Sequence, residues 1–146
     1  MLPAEGAGRD ADAAVGVLYD THYRRLTRLA ALLAADEAIA EEIVRDAFVA
    51  MHAAWRQLRD SDRALRYLQE TVVRRSRSRQ APAAPGPGLV AALRSLPWPQ
   101  REALVLRYYA DLPQARIASV MGISSHAVSG HIARGMSALQ AILGPD

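Results

Sequence analysis

The chain has 146 residues, 51% of them hydrophobic, with alanine prominent and a single phenylalanine, a profile that suits one ordinary domain or two small helical ones. It has no cysteine, which excludes disulfides, thiolate metal sites and cysteine nucleophiles. All eighteen basic residues are arginine, yet the formal net charge is only +3, so the placement of the arginines carries more information than their total.

No apolar run is long enough to span a bilayer, and the N-terminus MLPAEGAGRDADAA lacks the basic start and hydrophobic core of a signal peptide. A soluble, cytoplasmic protein with no membrane association is expected. The composition up to residue 11 reads as a flexible tail. From Asp12 a helix is predicted, with Val15, Leu18, His22, Leu26, Leu29 and Leu33 at three- and four-residue steps, ending near Ala35. Asp36 is placed to cap a second helix whose first turns carry Glu37, Glu41 and Glu42, where negative charge suits the positive end of the dipole. Ile39, Ile43, Ala47, Met51 and Trp55 form its apolar stripe, widened by Val44 and Phe48.

A short connection, Leu58 to Asp60, leads to Ser61 as a third cap. Leu65, Leu68 and Val72 mark the buried side of the third helix, which ends in Arg74-Arg75-Ser76-Arg77-Ser78-Arg79. Four arginines in six residues cannot all be paired locally, so they are candidates for phosphate contact. Residues 80–88, QAPAAPGPG, cannot continue a helix and read as a semi-stiff linker reaching about 25 Å at most when extended. Domains are therefore expected at 12–79 and 89–146.

After the linker, Leu89, Leu93 and Leu96 predict a short helix. Pro97-Trp98-Pro99 breaks the chain, and Leu104, Val105 and Tyr108 are expected to pack from the next one. Then Asp111 to Leu139 reads as two short helices around a glycine turn. Pro113 suits a first helical position, Gly122 a left-handed C-terminal one, and Ile123 the gap between the helices; Ser124 is an N-cap and Val128, Ile132, Met136 and Leu139 form a buried face. This is the layout of a DNA-binding helix-turn-helix, whose second helix enters the major groove. Ser125, His126, Ser129, His131 and Arg134 lie on its outward positions, while Gly130 weakens that helix by about 1 kcal/mol relative to alanine. The fold class is all-α. The four histidines stand at non-metal spacing and no phosphate loop appears, so no enzyme activity, metal or cofactor is expected.

Residues 18–79 and 89–143 resemble the two domains of extracytoplasmic-function sigma factors, group four of the sigma-70 family. LYDTHYRRLTRLAALL resembles the opening helix of the first domain, AEEIVRDAFVAMHAAW the segment that follows, and RALRYLQETVVRRSRSR the promoter-reading helix. LRSLPWPQREALVLRYYADLPQARIASVMGIS is similar to the start of the second domain, and SRSR is shared with a short actinobacterial sub-group. The resemblance implies core RNA polymerase and promoter DNA as partners, and an anti-sigma factor on another chain as a third. Glu42, Arg45, Asp46 and Phe48 would face the β′ clamp helices, while the second domain would meet the β flap. The first domain would melt the −10 element, with Trp55 and Tyr67 near a flipped base and Arg63, Arg66, Arg74, Arg75, Arg77 and Arg79 on phosphates. The second would read the −35 element through Ser124, Ser125, His126, Ser129, His131 and Arg134. Family members commonly carry Gln at position 45, Asn at 74, an acidic residue at 116, and Lys or Arg at 129, and this linker is shorter than usual. A DNA-binding regulator acting without polymerase is the alternative reading.

Overall fold

The computed structural model describes residues 3–34, 36–80 and 88–144, with side chains from Asp10 onward. The described residues form helices and connecting turns, with no strand among them. The front bundle is α1 (Pro3–Ala34), α2 (Glu37–Leu58) and α3 (Ser61–Arg77). The rear bundle is α4 (Leu89–Arg94), α5 (Trp98–Leu104, continued by a π-helical turn over Val105–Tyr109), α6 (Gln114–Met121) and α7 (Ser125–Leu143). The expected linker falls mostly on residues 81–87, outside the described residues.

In the front bundle the apolar stripes meet as their spacing requires. Leu26, Leu29 and Leu33 of α1, Ile43, Ala47 and Met51 of α2, and Leu68 and Val72 of α3 are all buried. Helix α1 starts at Pro3 rather than Asp12, which corrects the expectation of a loose tail through residue 11. Its front end has something to lie on: Ala11 is buried, Asp10 accepts the Trp55 indole N–H at 3.1 Å, and Asp12 pairs with His52 at 2.7 Å. Asp36 caps α2 by accepting the Ile39 amide at 2.9 Å. The cap of α3 is Asp60, not Ser61. The Asp60 carboxylate takes the Asp62 amide at 2.8 Å, and Ser61 is the first helical residue. Between α2 and α3 Arg59 adopts a left-handed conformation (φ 46°), letting its N–H reach the Trp55 carbonyl at 2.9 Å.

The rear bundle departs from simple periodicity once. At the end of α5 the amide of Ala110 bonds the carbonyl of Val105, five residues back, which inserts an extra residue into the turn. The register shifts accordingly. Leu106 is fully buried, and Tyr108, expected to pack, is 63% exposed. The two bundles share a continuous core in which Leu33 and Leu29 of α1 join Leu93, Leu104 and Leu106 of the rear bundle.

Candidate DNA and polymerase interface

Two short helices and their turn are built as the spacing implies. Gly122 is left-handed (φ 69°, ψ 34°), and the amides of Gly122 and Ile123 return to the carbonyls of Ser119 and Ala118 at 3.3 and 3.1 Å, a Schellman closure of α6. Ser124 caps α7 by accepting the Ala127 amide at 3.0 Å, so its hydroxyl serves the helix end first. Val128 is fully buried beneath the turn, with Ile117 and Ala118 facing it. Ser125, His126, Ser129 and Arg134 are exposed on the other side of α7, with His131 half-buried among them. The Arg134 guanidinium folds back along the helix to the His131 Nδ1 at 3.2 Å and over Gly130, where a Cβ would stand 3.0 Å from it. Gln114, which sequence reasoning passed over, spans the turn: its amide donates to the Ser125 carbonyl at 2.8 Å and to the Ser129 hydroxyl at 2.6 Å.

The arginines of α3 have partners that their spacing did not disclose. Arg75 lies 3.8 Å from Asp46 and Arg79 2.9 Å from Glu42, both on α2, and all four side chains are roughly half exposed. Such surface pairs contribute up to about 1 kcal/mol and exchange readily for another anion. Arg77 is different. Its Nε and Nη2 donate to Glu102 of α5 at 3.1 and 2.8 Å, and Nη2 also reaches the second carboxylate oxygen at 3.1 Å. Arg63, Arg66 and Arg74 are exposed, and Tyr67 is half-buried beside them. Trp55 is 8% exposed under the front end of α1 and packs as core.

On α2 the exposed positions Glu42, Arg45 and Asp46 share a face with Val49, whose side chain is 70% exposed. Val49 is the residue that the sequence reading missed here. Its signal was its place seven residues after Glu42 and four after Arg45, off the apolar stripe. Phe48, one position away, is buried with the Tyr19 ring 5.2 Å from its own, so it supports this face from beneath rather than lining it.

Charged groups also sit where the bundles meet. Glu102 is 1% exposed and holds the Trp98 indole N–H at 2.9 Å in addition to Arg77. Burial pushes its pKa up, while the bonds from Arg77 and Trp98 pull it back in part. Arg101 is buried and has no carboxylate partner among the described residues. Its guanidinium donates to the carbonyls of Leu93, Leu33 and Arg94 at 2.9, 2.8 and 2.9 Å, where the negative ends of α4 and α1 replace the counter-ion. Desolvation, with the nearby Arg94 charge, lowers its pKa. Arg116, where the resembling family carries an acidic residue, bonds Glu70 of α3 at 2.7 Å.

Residues 88–139, which carry the helix-turn-helix, match the family described as Sigma-70, region 4. Among solved structures, the chain is 27% identical to CnrH in its complex with the cytosolic domain of CnrY, with a TM-score of 0.74 over 94% of each chain. The rear bundle is a sigma-70 region 4 domain, and the chain as a whole is similar to CnrH, an extracytoplasmic-function sigma factor. The region 4 match runs from the start of α4 to Leu139 of α7, so the Schellman turn, the Ser124 cap and the Gln114 contacts all lie within the region 4 domain. The CnrH likeness extends over the front bundle as well, where the chain carries its arginine-ended α3. No curated protein matches the sequence. Among the described residues no helix is long and apolar enough to cross a membrane.

Proposed function

We propose that this chain is an extracytoplasmic-function sigma factor that directs promoter-specific initiation by dividing the work between its bundles, as two domains joined by the Pro/Gly segment. The front bundle binds core polymerase through the exposed α2 face of Glu42, Arg45, Asp46 and Val49 against the β′ clamp helices, and it opens the −10 element with α3. Opening costs a few kcal/mol of unpairing and unstacking per flipped base, which phosphate contacts from Arg63, Arg66 and Arg74 offset, Tyr67 lying beside the displaced strand. Arg75 and Arg79 join them by exchanging exposed carboxylates for phosphates. The rear bundle docks on the β flap and reads the −35 element as duplex through Ser125, His126, Ser129 and Arg134, with His131 orienting Arg134. The work is done in the cytoplasm, where polymerase is, and the protein is not an enzyme. CnrH's complex with CnrY supports a regulatory partner of the anti-sigma kind for this chain as well.

The observation that carries this reading is the pairing, within one chain, of a correctly capped helix-turn-helix with a helix that has three arginines in its last turn and a fourth, Arg79, just beyond it. The test is to add the purified chain to core RNA polymerase and map transcript start sites across genomic DNA. Initiation at a discrete set of sites sharing two elements is the expected result. Start sites identical to those of core polymerase alone would refute it.

A further inference from the structure

We propose that Gln114 is a positioning residue that holds Ser129 as an outward hydrogen-bond donor, so that Ser129 selects an acceptor on the base edge it meets. This deepens the sigma-factor reading and rests on it. The Gln114 Nε2 stands 2.8 Å from the Ser125 carbonyl and 2.6 Å from the Ser129 hydroxyl oxygen. A carbonyl can only accept, so the amide must present its NH2 edge here and cannot be turned around. A helical serine ordinarily returns its proton to the carbonyl four residues back. For Ser129 that acceptor is Ser125, whose two lone pairs already take the α-helical N–H of Ser129 and the Gln114 amide. The hydroxyl oxygen accepts the Gln114 amide through one of its two lone pairs, which turns the O–H away from Gln114. The Ser129 proton is left to the exposed face of α7. In the major groove guanine, adenine and thymine offer acceptors there, whereas the cytosine edge offers an amino donor. Ser129 therefore discriminates against cytosine on the strand it meets.

The experiment presents the chain bound to core polymerase with promoter fragments randomised in the −35 element, followed by sequencing of the bound fraction. Wild type should disfavour cytosine at one position by about tenfold, the range of a single good base contact. Ser129→Ala and Gln114→Ala should each flatten that one position, and the double variant should flatten it no further. Preferences in the −10 element and the yield of polymerase complex should not change. If Gln114→Ala keeps a preference that Ser129→Ala loses, or if Ser129→Ala keeps it too, the proposal is overturned. Failure to bind core polymerase would instead count against the sigma-factor reading, and the same library given to the chain alone would then decide the role of Gln114.

A separate observation supports a second inference: the packing of the rear bundle on α3 masks the promoter helix, with Glu102 occupying Arg77 in place of a DNA phosphate. Carboxylate and phosphate present the same pair of acceptors to a guanidinium fork, so the two compete for Arg77. Glu102 is almost fully buried and is steadied by Trp98, and two turns back along α3 the Arg116–Glu70 bond fastens α6 to the same helix. Between these two clasps a cleft of about 220 Å³ is lined by Arg74 and Arg77 of α3 and by Ser119 and Val120 of α6, so the Arg74–Arg77 edge of α3 borders the rear bundle.

Fluorescence anisotropy with a labelled single-stranded oligonucleotide, over a range of salt, tests this without polymerase. Glu102→Gln should bind about tenfold more tightly than wild type, with the salt slope steepened by about one phosphate contact. Because the sequence has no cysteine, Glu70→Cys combined with Arg116→Cys can be joined by a short bis-maleimide. The cross-linked chain should bind about tenfold more weakly than the same variant left open. Equal affinities in the cross-linking comparison overturn the inference, whether or not Glu102→Gln folds, and so does a folded Glu102→Gln that binds like wild type.

Discussion

Gly130 and Gly135 lie on the same helix and present opposite surroundings to an added methyl group. At Gly130 a Cβ would meet only the far end of the flexible Arg134 side chain, at 3.0 Å. Gly130→Ala should therefore recover the helix propensity that glycine forfeits, about 1 kcal/mol, and raise the melting temperature by about 3 °C. At Gly135 the Cβ would stand 2.7 Å from Leu104 Cδ1, inside the packing of α5 on α7. Gly135→Ala should cost about 1–3 kcal/mol by overpacking. Thermal melts of the two variants check the pair, and a reversed order would contradict the packing described. At this scale the sequence discloses caps well, because Asp36 and Ser124 need only a short side chain and a following helix. It misplaces one where two adjacent residues both qualify, as Asp60 and Ser61 do. Arg101 was harder still. It sits three residues before Leu104 on the apolar stripe of α5, but nothing local announces the main-chain carbonyls that surround its guanidinium.

At the level of elements, the helices of the front bundle were legible because each carries an unbroken stripe at helical spacing. Their burial in the structure follows that stripe from Leu26 to Val72. The end of α5 was not legible in the same way. A periodicity argument assumes a constant number of residues per turn, and the π-helical turn at Val105–Tyr109 adds one, turning Leu106 inward and Tyr108 outward. Leu106→Ala should accordingly cost about 2–5 kcal/mol, the range for an emptied core site. Tyr108→Ala should change stability by less than about 0.5 kcal/mol, as an exposed substitution does. Urea unfolding of the two variants measures the difference, and equal losses would mean that the register runs without the extra residue. The start of α1 was also missed. Its acidic, glycine-containing composition looks like a tail until Trp55 and His52 are brought beside Asp10 and Asp12 from forty or more residues away.

For the molecule as a whole, composition alone separates the two bundles, but how they meet depends on pairs distant in the chain. Arg77 finds Glu102, Arg116 finds Glu70 and Arg101 finds the end of α1, and none of these partners is within reach of a local pattern. The site was legible to the same extent. The turn, its caps and the outward side chains of α7 could be read in order, whereas the carboxylate partners of the arginines could not. Burying an ion pair costs nearly as much as it returns, so Glu102 leaves a mark on the pH dependence of stability. Its folded-state pKa is raised, chiefly by burial. Its stabilising share is therefore complete below the pKa of a free glutamate and is lost as pH rises through the folded value. Relative to Glu102→Gln, wild type should lose stability as pH rises above the range of a free glutamate, and a gap that stays constant with pH would argue against a buried carboxylate.

The claim on which the rest depends is that the exposed α2 face of the front bundle meets core RNA polymerase. It is measured most directly by the equilibrium affinity of the full chain for core enzyme in solution. A one-to-one complex should form at nanomolar concentrations, and Asp46→Arg combined with Val49→Asp should weaken it at least about tenfold while lowering the melting temperature by no more than about 3 °C, since the exposed Arg75–Asp46 pair is worth up to about 1 kcal/mol. No complex with core enzyme, together with tight dimeric binding of the chain alone to a palindromic duplex, would contradict it.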